Sequence, residues 1–284
     1  MSNNMLEIGR FNELTIVKEL PRGLQLDGGE AGEILLPKQY VKAGMDVGST
    51  IKVFIYRDSE ERLIATTITP YAQVGDFAYL NIVDESPVGA FLDWGLPKDI
   101  LVPFSEQSNR LEKGRKVLVR VYLDDSDRLT ASTKLDTFLY DTDDTERFKS
   151  GDQVNLVVAG KTDLGTKMII DGVYWGLIYE SDIFQDLSRG DKLSGFIQRV
   201  RPDKKIEVTL QQPGFARIEP LGQKILDKLA NEDAGFIPLS DKSSPEMIKR
   251  VFACSKSSFK KAIGGLYKQK LINIEREGIS LLKK

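Results

Sequence analysis

"GRKVLVRVYLDDSDRLTAST", residues 114–133, has a near copy in the same chain: shifted by 66 residues it falls on "GSTIKVFIYRDSEERLIATT", residues 48–67. Gly48 meets Gly114, Val53 meets Val119, Arg62 meets Arg128 and Thr67 meets Thr133. The same shift lays "GLQLD" (23–27) on "GAFLD" (89–93) and Pro37 on Pro103. A further shift of 76 reaches a third copy, with Gly89 on Gly165, Leu101 on Leu177, Gly114 on Gly190 and Thr133 on Thr209. Matches at a fixed offset, with no gap inside the unit and the ten extra residues placed before Gly151, are the signature of a duplicated structural module.

Each unit reads as strands. In the middle copy these are "DFAYLNIVDE", "VGAFLDW", "DILVPF", "KVLVRVYLD" and "RLTAST". They alternate apolar and polar residues, are rich in Val, Ile, Phe and Tyr, and are divided by Gly, Pro and Asp turns. The segment "SEQSNRLEKG" between the third and fourth strands suits a short helical turn. Five strands in about 60 residues match a small closed barrel, the oligonucleotide-binding (OB) fold. Gly89 is expected to be a bulge that bends strand two around the barrel. Phe91 and Trp94 lie at odd separation and point to opposite faces, so one fills the core and the other is exposed.

Composition narrows the function classes. The 284 residues contain no histidine, which removes His-based acid–base and triad chemistry and His-ligated metal sites. A phosphate-cradling loop and a dinucleotide fingerprint are also missing, so no enzyme and no cofactor is expected. The acidic run "DTDDTE" (141–146) lacks the central glycine of a calcium loop and reads as a solvated linker. Acidic pairs such as Asp124 and Asp125 could hold magnesium for a nuclease, but they fall in a surface turn. With Cys254 as the only cysteine there is no intramolecular disulfide, and no apolar run reaches the roughly 18 residues of a membrane span. The start lacks a signal-peptide layout, and a cytoplasmic protein without membrane association is expected.

Gly89-Ala-Phe-Leu-Asp, then "DILVPFSEQ", then "GRKVLVRVYLDDSDRLTAS" together resemble the RNA-binding domain named after ribosomal protein S-one. That resemblance implies a five-stranded barrel that binds single-stranded RNA. It assigns base stacking to Phe91, and matches Asp124 and Arg128 to the family's aspartate and arginine near the last turn. Two departures stand out: Val88 replaces an aromatic, and Pro103 replaces the family histidine.

The flanking copies depart further. In the first, Gln25 replaces the phenylalanine and Pro37 the histidine, while Asp58 and Arg62 remain, which points to a weak or structural barrel. In the third, Lys167 replaces the phenylalanine and Tyr179 takes the histidine position. Lys167, Tyr179, Arg199, Arg201, Lys204 and Lys205 would mix stacking groups with phosphate-neutralising charge. The alternative for "RVRPDKK" (199–205) is a solvated basic turn. Tyr174 and Trp175 are adjacent, so one is core and one exposed.

After Pro213-Gly214 the period changes from two to that of helices. "EPLGQKILDKLANED" puts Leu221, Ile225, Leu226 and Leu229 on one face. Ser244 caps a second helix with Pro245 in its first turn, and Ser255 caps a third after the turn "ACS". "INIEREGISLL" reads as a hairpin turning at Glu277-Gly278, which completes a winged helix-turn-helix. On the third helix Lys256, Lys260, Lys261 and Lys268 share one arc with Gly264 inside it, opposite Phe259, Ala262, Ile263 and Leu266. That glycine serves either close phosphate approach or helix packing.

The order of modules resembles one family along nearly the whole chain, the conserved virulence factor B family of Gram-positive bacteria. "FIPLSDKSSPEMIKRVFACSKSSFKKAIGGLYKQKLI" carries the likeness to its winged helix. The expectation is a mainly β chain with an α+β C-terminal domain: barrels at 1–68, 69–138 and 151–212, an acidic linker at 139–150, and a winged helix at 213–284. Residues 1–145 hold 16 Lys+Arg against 24 Asp+Glu, a net −8; residues 213–284 hold 14 against 8, a net +6. Single-stranded RNA is the expected partner, in post-transcriptional regulation, engaged mainly at the basic end. The alternatives are a duplex-DNA transcription regulator working through the third helix, and a scaffold whose acidic barrels dock a ribosome or another protein.

Overall fold

The structure is a computed structural model that describes residues 6–142, 144, 146–183, 185–211, 220–232 and 235–282. The Pro213-Gly214 boundary lies outside the described residues. Barrel one comprises β1 (Phe11–Leu20), β2 (Gly23–Asp27), β3 (Glu33–Pro37), β4 (Thr50–Arg57) and β5 (Leu63–Thr66). Barrel two comprises β6 (Phe77–Ser86), β7 (Gly89–Asp93), β8 (Ile100–Pro103), β9 (Lys116–Leu123) and β10 (Leu129–Ser132). Barrel three comprises β11 (Gln153–Thr162), β12 (Gly165–Ile170), β13 (Tyr174–Tyr179), β14 (Lys192–Val200) and β15 (Ile206–Thr209). All three close in the order 1-2-3-5-4, with strands three and five parallel, which is the OB topology.

Closure depends on two devices that recur in each copy. Strand one pairs with both strand two and strand four, and a bulge lets it coil to do so. The unpaired residues are Val17, Val83 and Ala159, where the register with strand two slips. Gly89 is therefore not the bulge. It opens β7 at φ 151°, and a Cβ there would lie 2.2 Å from the Val102 carbonyl oxygen. Gly23 and Gly165 stand in the same relation to Leu36 and Ile178. Glycine is required because strand three passes too close for any side chain.

The third copy is not gap-free. The pairing of β14 with β15 slips between Ile197 and Arg199, leaving Gln198 as an extra residue. Beyond it the offset from barrel two is 77: Arg199 pairs with Glu207 as Tyr122 pairs with Thr130. The helical turn expected before the fourth strand is a single 3-10 turn, Phe104–Glu106.

Inward side chains fill each barrel, and the barrels also pack on one another. Val53 and Ile55 face the core of barrel one, while Phe54 and Tyr56 on the other face of β4 are buried against barrel two. There Trp94 meets Phe54 edge-on at 5.7 Å between ring centres, and its indole N–H donates to the Lys98 carbonyl. Trp94 is thus core and Phe91 faces outward. Burial under this contact, with the charge of Tyr40 and Asp58, pushes the Tyr56 phenol up to about 12. Barrels two and three share a second buried cluster of Phe77, Leu118, Leu139 and Ile169. The stretch expected to be an acidic linker, 139–150, is partly packed: Leu139 is buried, Tyr140 bridges to β13, and Phe148 meets Tyr174 edge-on at 5.4 Å.

The C-terminal unit is built from α1 (Pro220–Asn231), β16 (Phe236–Ile237), α2 (Pro245–Phe252), α3 (Lys256–Lys268), β17 (Ile272–Ile274) and β18 (Ile279–Leu281). Ser244 accepts from the Met247 N–H and Ser255 from the Ser258 N–H, the two caps expected. The wing has a third strand, β16, which pairs with β18 and was too short to stand out in the sequence. Ile225, Leu229, Phe259, Ile263 and Leu266 form its core.

Candidate nucleic-acid interface

One ladder of four outward positions crosses strands two, three, five and four of each barrel. In barrel one it runs Gln25, Leu35, Ile64, Tyr56. In barrel two it runs Phe91, Leu101, Thr130, Tyr122. In barrel three it runs Lys167, Leu177, Glu207, Arg199. Strands two and three carry the ligand face of OB barrels. The three copies give it different chemistry. Barrel one commits the far end of its ladder, Tyr56 and Ile64, to the contact with barrel two.

The barrel-two face is the aromatic one. Phe91 lines a cleft of about 250 Å³ with Pro103 and Arg128, and Arg57 and Tyr56 of barrel one form the facing wall. Lys98 reaches across the cleft, donating to the Asp58 carbonyl and pairing with Glu61 at 2.8 Å. Asp124 and Arg128 are also brought together, with a different consequence from the one expected. Asp124 accepts the Ser126 and Arg128 backbone N–H groups and the Arg128 guanidinium. Burial pushes its carboxyl up, but the hydrogen bonds from Arg128 and Ser126 outweigh that and hold it below the usual range. Asp58 and Arg62 repeat the arrangement in barrel one. Asp124 is therefore the staple of the β9–β10 turn. Arg128 keeps most of its side chain in solvent at the cleft mouth.

The barrel-three face is ionic. Tyr179 donates to Glu207 at 3.0 Å, Arg199 forks onto both Glu207 oxygens, and Arg201 lies 3.5 Å from the Tyr179 hydroxyl. Glu207 is only 3% exposed. Burial alone would raise its carboxyl; hydrogen bonds from Arg199 and Tyr179 and the two arginine charges bring it below the ordinary value. Tyr179, Arg199 and Arg201 thus come together as expected, but around a carboxylate that offsets part of their charge. Lys204 and Lys205 lie exposed in the turn beyond, with Lys204 at φ 64°. Tyr174 is core at 9% exposure and unavailable for stacking. Its neighbour Trp175 faces outward, donates to Asp136 and lies under the Lys167 ammonium, 3.5 Å from the ring centre.

On α3, Lys260, Lys261 and Lys268 are exposed and Lys256 is half-buried. A Cβ on Gly264 or Gly265 would touch nothing within 4 Å, so helix packing does not explain either glycine. The helix offers a cationic face with bare backbone. Glu207, Arg57 and Lys98 were missed in the sequence. Nothing local marks Glu207 as ionic-network material, because the Gln198 bulge sets its partner. Arg57 and Lys98 join the cleft only through the docking of two barrels.

Three OB barrels followed by a winged helix make this a nucleic-acid-binding protein by class. The S1 domain model matches residues 8–68 and 74–134, and the CvfB-like winged helix domain model matches residues 223–281. The chain is 30% identical over 252 residues to Conserved virulence factor B of Staphylococcus aureus, covering 84% of this chain and 82% of that one. It is 28% identical over 247 residues to the Staphylococcus epidermidis protein of that name, with the same coverage. A crystal structure described as a multidomain protein with nucleic acid binding domains, from Streptococcus pneumoniae, aligns at 26% identity with a TM-score of 0.41 over 97% of this chain and 98% of that one. The chain belongs to the conserved virulence factor B family. No helix among the described residues is long and apolar enough to cross a membrane.

Proposed function

We propose that this chain binds single-stranded RNA, with little base preference, and acts on gene expression after transcription in the cytoplasm. Phe91 carries this reading: a half-buried aromatic on the ligand face of an S1-matched barrel, in a cleft whose mouth holds Arg128. A ring there stacks on any base that is splayed out of a duplex, which single strands supply. Arg199, Arg201, Lys204, Lys205 and the α3 lysines then serve the phosphates. Lysines act as point charges and lack the fork that reads base edges, so α3 suits a backbone track better than a major groove. Competition at fixed salt among single-stranded RNA, single-stranded DNA and duplex DNA tests this. RNA should compete best; duplex DNA competing equally well would move the function to the winged helix and to transcription.

A further inference from the structure

The seam between barrels two and three is lined by cations and aromatics that the ligand face does not use. A hollow of about 440 Å³ opens there, walled by Tyr71, Tyr79 and Lys116 on one side and by Arg189 and Lys192 on the other. Tyr79 and Lys116 lie on strands one and four of barrel two, away from the face of strands two and three that OB barrels ordinarily present. Arg189 also lines a second hollow of about 300 Å³ with Lys161, Trp175 and Lys167 of the barrel-three ladder, so the two hollows meet at Arg189.

Three observations distinguish this seam from an ordinary charged surface. First, its cations are unspent. Arg62, Arg128, Arg199 and Arg201 each hold a carboxylate. Among the described residues no carboxylate lies in ion-pairing reach of Lys116, Arg189 or Lys192. The two acids of the first hollow are engaged in turns, Asp93 accepting from the Gly95 N–H and Asp191 from the Ser188 N–H. Second, aromatics stand beside the cations. Tyr71 is 61% exposed, although most large rings of the barrels are covered, and the Lys116 ammonium stands 6.0 Å from the Tyr79 ring centre. Third, the seam has a fixed geometry. The turn glycines Gly48 and Gly114 have open space around them, while a Cβ on their counterpart Gly190 would lie 2.3 Å from the Tyr79 Cβ. The third copy of that turn is pressed against barrel two.

We propose that this seam is a second track for single-stranded nucleic acid, with phosphates over Lys116, Arg189 and Lys192 and bases against Tyr71 and Tyr79. It rests on the reading that the chain binds single strands. A cationic groove interleaved with rings is how strands are held without sequence preference, and a duplex hides the base faces that Tyr71 would meet. The hollow is within the size range of small-ligand clefts, which suits a nucleotide unit.

The test uses the full chain and an oligouridylate, titrated across a salt series. The triple variant Lys116→Ala, Arg189→Ala, Lys192→Ala should flatten the log-affinity against log-salt slope by about 2 and weaken binding roughly 100-fold at 0.1 M salt. Tyr71→Ala should weaken binding roughly 5- to 150-fold and leave the slope alone, because stacking releases no counterions. Removing as many charges from barrel one, with Lys18→Ala, Lys38→Ala, Lys42→Ala, should change neither value appreciably. Wild-type binding with an unaltered triple variant, or with the barrel-one variant weakened as much, overturns the track and leaves RNA binding standing. Wild type binding no single strand overturns both.

Discussion

Glu207→Gln should strengthen RNA binding, which is unusual for a substitution on a ligand face. The wild-type carboxylate holds Arg199 through both oxygens and sits 4.0 Å from Arg201. Each guanidinium so held is partly neutralised before any phosphate arrives. Glutamine keeps the shape and can still accept from Tyr179, but it removes the charge. Two cations then become available to phosphate. At about 0.7 slope units per phosphate on a single strand, the salt slope should steepen by up to about 1.4, and affinity at 0.1 M salt should rise by up to roughly 25-fold. The gain will be smaller if Arg201 stays with Asp203, its other partner at 3.0 Å. Because the Arg199 side chain is 66% exposed, water replaces most of the lost pairing and the barrel should remain folded. Fluorescence anisotropy of a labelled oligonucleotide at several salt concentrations gives slope and affinity together. A weaker complex, with the melting temperature unchanged, would refute the masking role and make Glu207 the group that positions Arg199 for RNA.

Gly89→Ala should lower stability by about 3 kcal/mol, because alanine is strained at φ 151° and its methyl would press on the Val102 carbonyl; chemical denaturation reads it, and a loss under about 1 kcal/mol would contradict the close approach. Trp94→Ala should cost about 3–5 kcal/mol, since it empties the contact with Phe54 between the first two barrels, and calorimetry should then show barrel one melting separately. Phe91→Ala should weaken single-strand binding by about 1–3 kcal/mol with the salt slope unchanged; a changed slope would mean that the ring acts by placing Arg128. Asp58, Asp124 and Glu207 all have folded-state values below their ordinary ones, so their stabilisation is complete above the unfolded range near pH 4 and is lost as pH falls through the folded values. Melting temperature should therefore be insensitive to these groups at neutral pH and fall in acid, and a loss beginning near pH 6 would point to other groups.

The barrels and the winged helix were legible because each is specified locally. Alternation, the glycine that opens strand two, and the capping serines of α2 and α3 are visible in a few consecutive residues. The candidate site was legible only where one residue decides it. Phe91 was visible as a ring at the right offset from a glycine. Which of Phe91 and Trp94 faces out was not, because barrel one covers Trp94 and no residue of the repeat announces that contact. Tyr174 and Trp175 were ambiguous for the same reason, and Leu139 and Phe148 settle them. The Gln198 bulge was invisible to a fixed shift, and it decides that Glu207 lies beside Arg199. Net charge also pointed to a division near residue 145. The buried cluster of Phe77, Leu118, Leu139 and Ile169 shows that barrels two and three pack together across it, so functional tests belong on the whole chain.

Photo-crosslinking of a thiouridine-substituted single-stranded RNA to the full chain, with the attached residues mapped by mass spectrometry, tests the central claim most directly. The account predicts attachment at Phe91 on barrel two and at Tyr71 or Tyr79 on the seam, competed away by unlabelled single-stranded RNA and not by duplex DNA. Attachment confined to residues 220–282, and competed by duplex DNA, would contradict it and assign nucleic-acid binding to the winged helix alone.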